Sequence, residues 1–587
     1  MIPDHEGFAS IVQLFERGSF GGDSYSGQSS KTTYRFFVFQ KHIYDVYLSG
    51  KKNDMAFSLS IWDWVICLTA VFSSIAVGLT LAFRKGAGES SAQYFLAGRG
   101  LRWPVVGASL FATNIGAEHL VGLSGDSYRY GLSAGAVELT TVICLGIAAT
   151  FLFPYYIQNK VFTIPEFLEL RYRRSARLFF SGLMVVICIM TKMAFHLYAG
   201  ALVLHGMLGW GIMPMVAAIG VFVAVVTMVG GFTAVAYTDS IQTGIMIVGC
   251  SVVLFIGLDR IGGWHNLVLH APAAMHIAAP YNDKNYPFMG IVLSSLFGGV
   301  FYWGIDQVNV QRVLGARDLR QARLGSMFAI LLKLTPVFIF ALPGVIAAVL
   351  FPGRDPKSTF ITLLNELLPN GVRGLVLAGL LSALIGSSLS VMNSVSTLVV
   401  RDFLIKARPK SSERAQVWLG RLTILVSTPL AIASAYLIYI TPDGLYRYLQ
   451  AISLYMVMPI MPAIFFGIMS KRVTFRGAVA SVMVGGFLAI LFVTDQLLGE
   501  GVGLHTFPWL HTNLTQNYTY RGLFGSILVT VVLYGVSYCG RRPRSEDLAG
   551  LTVDWGAQIE KFEGIRDWRL HLAVLGLITI LIYAWLW

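Results

Sequence analysis

About fourteen apolar runs, each long enough to cross a bilayer at 1.5 Å per residue, follow one another between residues 60 and 587. They lie near 60–83, 103–123, 131–154, 176–207, 211–231, 238–258, 288–308, 322–350, 371–400, 415–440, 445–469, 475–498, 521–539 and 569–587. A segment with no hydration in the hydrocarbon region must satisfy its own backbone groups, and these runs do so as helices. Charged residues make up only 13% of the chain, against about a quarter in soluble domains. The expected fold is therefore an all-α polytopic membrane protein embedded in a lipid bilayer.

Loop charges set the expected orientation. Basic residues occupy alternate connections: Arg84, Lys85, Arg99 and Arg102; Lys160, Arg171, Arg173, Arg174 and Arg177; and Arg312, Arg317, Arg320 and Arg323. Further along come Arg401, Lys406, Arg408, Lys410 and Arg414; Lys471, Arg472 and Arg476; and Arg541, Arg542 and Arg544. The positive-inside pattern puts these loops in the cytoplasm and both termini outside, in a plasma (inner) membrane. The net charge of +13 is explained by these loops, and no soluble domain is left over to bind nucleic acid. The cysteines Cys67, Cys144, Cys188, Cys250 and Cys539 sit in or beside apolar runs without CxxC spacing. They are expected to be free, packed thiols. Residues 1–57 hold no spanning run and lack signal-peptide design. They read either as an external tail or as a mis-assigned start with Met55 the true one.

Polar groups inside the runs are costly in lipid and are the candidates for function. In "FATNIGAEHLVG", Asn114 and Glu118 share a helical face, as do Ile115 and His119, with Gly116 between. Small and polar residues here let a helix break, which frees carbonyls that can bind a cation. Asn114 and His119 read as functional and Glu118 as a structural hydrogen-bonding group. In the third run Glu138 and Thr141 are three apart on one face, and a buried Glu must be paired, protonated or facing water. Tyr302 and Trp303 of "FYWGIDQ" can stack on the apolar face of a ring, or belong to an interface belt; Asp306 and Gln307 follow and can line an exit. Lys333 lies too deep in its run to snorkel easily and so should face a polar cavity. "LLSALIGSSLSVMNSVSTL" is rich in serine, mostly for helix packing, with one or two hydroxyls able to ligate a hard cation. Gln450 can donate and accept, which suits a hydroxyl. No GxxxxGK[ST] and no HExxH occurs, which argues against an ATP-driven pump or a metalloprotease; an enzyme is not expected.

The stretch "YFLAGRGLRWPVVGASLFATNIGAEHLVGLSG" resembles the signature of the solute:sodium symporters, in particular the sodium/glucose cotransporter branch. The likeness continues through "IPEFLELRYRR", "GGFTAVAYTDSIQT", "YWGIDQVNVQRVLGAR", "LLKLTPVFIFALPG", "NSVSTLVVRDF" and "LQAISLYMVMPIMPAIFFGIMSKR", in order from about Ser60 to Arg476. It implies a LeuT-like core of two five-helix repeats of inverted topology, near 103–258 and 288–470, with the first helix of each repeat broken at mid-membrane. Around them would lie an extra first helix and cytoplasmic loop (58–102), an external loop (259–287) and three additional helices (471–587).

The resemblance further implies a sodium site from carbonyls of Ala112 and Ile115 together with Ala383 and two serines. Ungapped alignment puts Gly386 where the family usually has the first serine and Ser387 at the second; a one-residue shift would use Ser387 and Ser388. Asp239 matches an acidic residue that assists sodium release. The sugar site would comprise Asn114, His119, Glu138, Thr141, Lys333 and Gln450, closed by Tyr302 with Trp303 beside it, while Gly299 stands where some relatives carry Asn. The expected function is Na+-coupled symport of a hexose by alternating access. A Na+- or H+-coupled polyol carrier, and a non-concentrating sugar sensor or leak pathway, are the alternatives.

Overall fold

The computed structural model describes residues 59–116, 118–440, 454–498, 517–554 and 562–587. Among these the secondary structure is helical apart from two isolated bridges. The elements that position the site are α1 (Ile61–Arg84), α2 (Trp103–Asn114), α3 (Ile212–Ile261), α4 (Phe288–Gly304), α5 (Gln307–Leu314), α6 (Leu319–Lys333) and α7 (Val372–Leu398).

Ten helices among the described residues are long and apolar enough to span, or eleven if the bent pair α4–α5 is one span. The difference from fourteen runs has local causes. At 50 residues α3 is about 75 Å long, more than twice the hydrocarbon thickness, and it carries two runs. Its bend is at Gly231, whose φ of +57° lies in the left-handed region. A Cβ there would come within 2.7 Å of the Tyr94 ring. The second run is split: α2 holds only its first 12 residues, and the rest joins the third run in a long helical stretch, His119–Gln158. Part of the run at 445–469 lies outside the described residues.

Both interrupted helices break where the sequence weakens them. α2 ends at Asn114; Ile115 is extended (φ −91°, ψ 117°), and helical turns resume at Glu118. α4 ends at Gly304 and α5 restarts after Asp306, whose carboxylate caps the new helix by accepting from Val308 N at 3.1 Å. The two halves meet at 51°.

α1 begins with a capping box between Ser60 and Asp63. The same carboxylate accepts from Gly371 N (2.7 Å) and Gly374 N (2.9 Å), tying α1 to the start of α7. These bonds account for the full burial of this acid.

The basic loops gather at one end of the bundle. Arg99 donates to the Lys160 and Val161 carbonyls, and Arg401 lies 3.7 Å from the Phe162 ring centre. Lys406 pairs with Glu169 at 3.0 Å, and Arg171 donates to Gly467 O at 2.7 Å. Several of these side chains are not in solvent: Arg171, Arg177, Arg312 and Arg323 are buried, and Arg312 belongs to α5 rather than to a loop. Of the cysteines, all free, four are buried and packed as expected, but Cys539 is exposed.

Candidate functional site

A cavity of about 270 Å³ opens at the two helix breaks. It is lined by Asn114, His119, Glu138, Thr141, Tyr302, Trp303 and Lys333, all expected from the sequence. Gln450 lies outside the described residues, as does the side chain of Glu118.

Five of the lining side chains form one polar chain. Asn114 Nδ2 donates to Tyr302 Oη at 2.9 Å. Lys333 Nζ donates to Asn114 Oδ1 and to Glu138 Oε2. Glu138 Oε1 lies 3.3 Å from His119 Nε2. Asn114 is therefore used at both ends of its amide, and the break at Ile115 is what lets it turn inward. Lys333 is the last residue of α6, just before Pro336, so its ammonium does not reach an interface and pairs with Glu138 instead. Both members are almost fully buried, the arrangement in which losing one partner is costly. Thr141 opens the next helical segment and lines the same space.

Tyr302 and Trp303 are not part of a lipid-facing belt. Trp303 is 3% exposed and packs edge-on against Tyr302, with centroids 5.2 Å apart. Gly299 lines the cavity, and a Cβ there would meet Cys144 Sγ at 2.5 Å. An asparagine at this place would need Cys144 to move.

Sequence reasoning missed Lys192. Its ammonium pairs with Asp306, lies 5.7 Å from the centre of the Tyr302 ring, and lines the cavity. It sits as deep in the fourth run as Lys333 does in the eighth, so the same snorkelling argument would have found it. Asp306, read as an exit group, both caps α5 and holds Lys192.

The break at Ile115 also interrupts the backbone ladder of α2. Among the described residues neither Ala112 O nor Ile115 O accepts a backbone hydrogen bond outside the helix interior. Ala383, Ser387 and Ser388 are buried at the middle of α7. Ser387 Oγ donates to Leu384 O at 3.2 Å, whereas Ser388 Oγ has no partner among the described residues. Ser390 Oγ lies 3.3 Å from Thr113 Oγ1, which seats this serine stretch against the last turn of α2. Other serines are packing groups: Ser394 donates to Gln311 and Ser396 to Gly420 O.

Asp239 is buried one turn nearer the basic end. Its Oδ2 accepts from Ser109 Oγ (2.7 Å) and Ser390 Oγ (3.3 Å) and lies 3.7 Å from Arg312. Arg312 also donates to Ser390 and lies 5.3 Å from the Phe232 ring centre. This buried guanidinium was not foreseen as part of the site. A Cβ on Gly386 would lie 3.0 Å from both Asp239 Oδ1 and Gln242 Oε1, neither of which has a hydrogen-bond partner among the described residues. The hydroxyl that Gly386 lacks is therefore missing from the surroundings of Asp239.

The family described as the sodium:solute symporter family matches residues 94–485. A zebrafish (Danio rerio) protein, sodium/glucose cotransporter 4, is 32% identical over 550 residues, covering 87% of this chain and 83% of that protein. The bovine (Bos taurus) sodium/myo-inositol cotransporter is 31% identical over 448 residues, covering 68% of this chain but only 62% of that relative's length. The solved structure of a Na+-coupled sialic acid symporter, substrate-bound and outward-open, superposes with a TM-score of 0.70 at 18% identity, over 83% of this chain and 99% of that one. That likeness is one of fold.

Proposed function

The chain belongs to the sodium:solute symporter family, and from that premise we propose that its central cavity carries a sugar, with hexoses such as glucose or galactose the class that fits. The observation that carries this reading is the polar chain Tyr302–Asn114–Lys333–Glu138–His119. It alternates donors and acceptors around a cavity whose flanking walls are aromatic. Sugar hydroxyls do both, and the apolar face of a pyranose stacks on an aromatic ring. The volume of about 270 Å³ lies just below the usual range for small-molecule pockets, which suits a ligand no larger than a monosaccharide. The zebrafish relative's name supports a hexose. The bovine relative's name favours a second reading, a cyclic polyol such as inositol, which has the same hydroxyl pattern.

In this reading Na+ is held by the carbonyls of Ala112 and Ile115, by Ala383, and by the hydroxyls of Ser387 and Ser388. The unpartnered Ser388 hydroxyl supports that assignment. Na+ fixes the broken α2 against α7 and so favours the state in which sugar binds. Coupling is then a difference in sodium affinity between states. Asp239, nearer the basic end, assists sodium release there. One Na+ crossing about 100 mV releases roughly 2.3 kcal/mol, and a tenfold gradient adds about 1.4 kcal/mol. Their sum permits accumulation on the order of several hundredfold. The basic end is placed in the cytoplasm and both termini outside, in the plasma membrane.

Counterflow and uptake in proteoliposomes test the proposal, with labelled hexoses and inositol and with a Na+ or H+ gradient. Concentrative, Na+-dependent hexose uptake is expected, and Asn114→Ala should weaken sugar affinity about tenfold through loss of a hydrogen bond in a buried network. Accumulation under neither gradient sinks the transport of a sugar; concentration indifferent to Na+ sinks the coupling; preference for inositol selects the second reading.

A further inference from the structure

The basic end carries a second hollow, of about 520 Å³, that the transport site does not use. Lys85, Arg102, Tyr237 and Arg317 line it together with Pro104 and Val105, and among the described residues no carboxylate does. The four polar residues come from four places in the fold. Lys85 caps the end of α1 and Arg102 the start of α2. Tyr237 lies on α3 just beyond the Gly231 bend, and Arg317 follows α5.

Their convergence is built by the backbone. Leu101 N donates to Gly315 O and Arg317 N to Leu101 O, each at 3.0 Å. This two-bond bridge fixes Arg102 and Arg317 side by side. Lys85 Nζ donates to Tyr237 Oη at 2.6 Å, which leaves the phenol proton to point elsewhere. Among the described residues, neither Arg102 nor Arg317 has a side-chain hydrogen bond or ion pair, and both are exposed. Beside the hollow, the apolar side chains of Phe83 and Trp103 are 58% and 41% exposed, so it borders the lipid-facing surface.

Three cations with no carboxylate among the described lining residues, beside a hydroxyl donor, make an anion site, and their fork and point geometries match a phosphate. We propose that this hollow binds a phosphate group, supplied by an acidic lipid headgroup or by phosphate in solution. Occupied, it links α1 and α3 to the basic ends of both broken helices.

The full chain, purified in detergent, is titrated with short-chain phosphatidic acid, with short-chain phosphatidylcholine and with inorganic phosphate, and binding is read by thermophoresis. Phosphatidic acid is expected to bind at least tenfold more tightly than phosphatidylcholine. Arg102→Ala/Arg317→Ala should lose about tenfold or more, since each basic residue near an anionic surface adds severalfold to the affinity. Arg541→Ala/Arg542→Ala, which removes as much charge elsewhere, should lose none of it. Competition by inorganic phosphate marks the bare anion as an occupant; binding of phosphatidic acid without such competition assigns the lipid. Should the double variant fail to fold, Tyr237→Phe, which removes only the hydroxyl, is expected to cost about threefold. Equal binding by wild type and the Arg102/Arg317 variant, equal loss in the Arg541/Arg542 variant, or no binding of either phosphate probe overturns the proposal.

Discussion

Lys333→Met removes one half of the most buried ion pair in the cavity. In its absence Glu138, 4% exposed, keeps only His119 at 3.3 Å among its described ion-pair partners. Breaking a fully buried pair costs about 3–5 kcal/mol. The pair borders a cavity of about 270 Å³ that can admit water, so a cost at or below the bottom of that range, about 2–3 kcal/mol, is the expectation here. Lys333→Met/Glu138→Gln removes both charges and should recover most of the lost stability, because no uncompensated charge is left behind. Sugar affinity should behave differently. A hydrogen bond to a charged group contributes about 1.5–3 kcal/mol, so the single and the double variant should both bind sugar at least tenfold more weakly. Thermal unfolding in detergent reads the first effect and equilibrium sugar binding the second. Two results would refute the reasoning: a single variant as stable as wild type, meaning the carboxylate is not desolvated, or a double variant that binds sugar like wild type, meaning the pair does not touch it.

Three further outcomes follow from the geometry. Ser388→Ala should raise the Na+ concentration for half-maximal uptake severalfold, with Ser387→Ala smaller because its hydroxyl already donates to Leu384 O; an unchanged sodium curve in both makes them packing residues. Both Gly386→Ser and Gly386→Ala place a Cβ 3.0 Å from the Asp239 and Gln242 oxygens, which have no partner among the described residues, but only serine adds a hydroxyl, so Gly386→Ser should be more stable than Gly386→Ala by about 1 kcal/mol. If the two variants unfold at the same temperature, the hydroxyl is not used. Gly231→Ala combines a positive φ with a contact of 2.7 Å to Tyr94 and should cost about 2 kcal/mol or more, visible as a lowered unfolding temperature; wild-type stability would mean the α3 bend tolerates a side chain.

The polar residues of the site were legible because lipid makes each an exception. Asn114, His119, Glu138 and Lys333 stand out inside apolar runs, and Gly116 with Asn114 marks a helix that cannot continue. Lys192 carried the same signal and was passed over. Arg312 was hidden for the opposite reason: it falls among loop arginines, and only the short α5 carries it inward to Asp239. The α3 bend was legible only as two adjacent runs, since nothing in one run says whether the next continues its axis.

By itself the sequence determined that the chain spans a membrane many times, which of its ends is basic, and which buried groups need an explanation. Those conclusions rest on the cost of moving single groups from water to hydrocarbon, a property of each residue and its near neighbours. Tertiary structure decided who partners whom. It joined Lys333 to Glu138 across 195 positions and Arg312 to Ser390 across 78. It turned Gly386 toward Asp239, and brought Lys85, Arg102, Tyr237 and Arg317 to one hollow. Helix crossing sets these distances, and the crossing depends on packing along whole helices, which no local pattern of residues records.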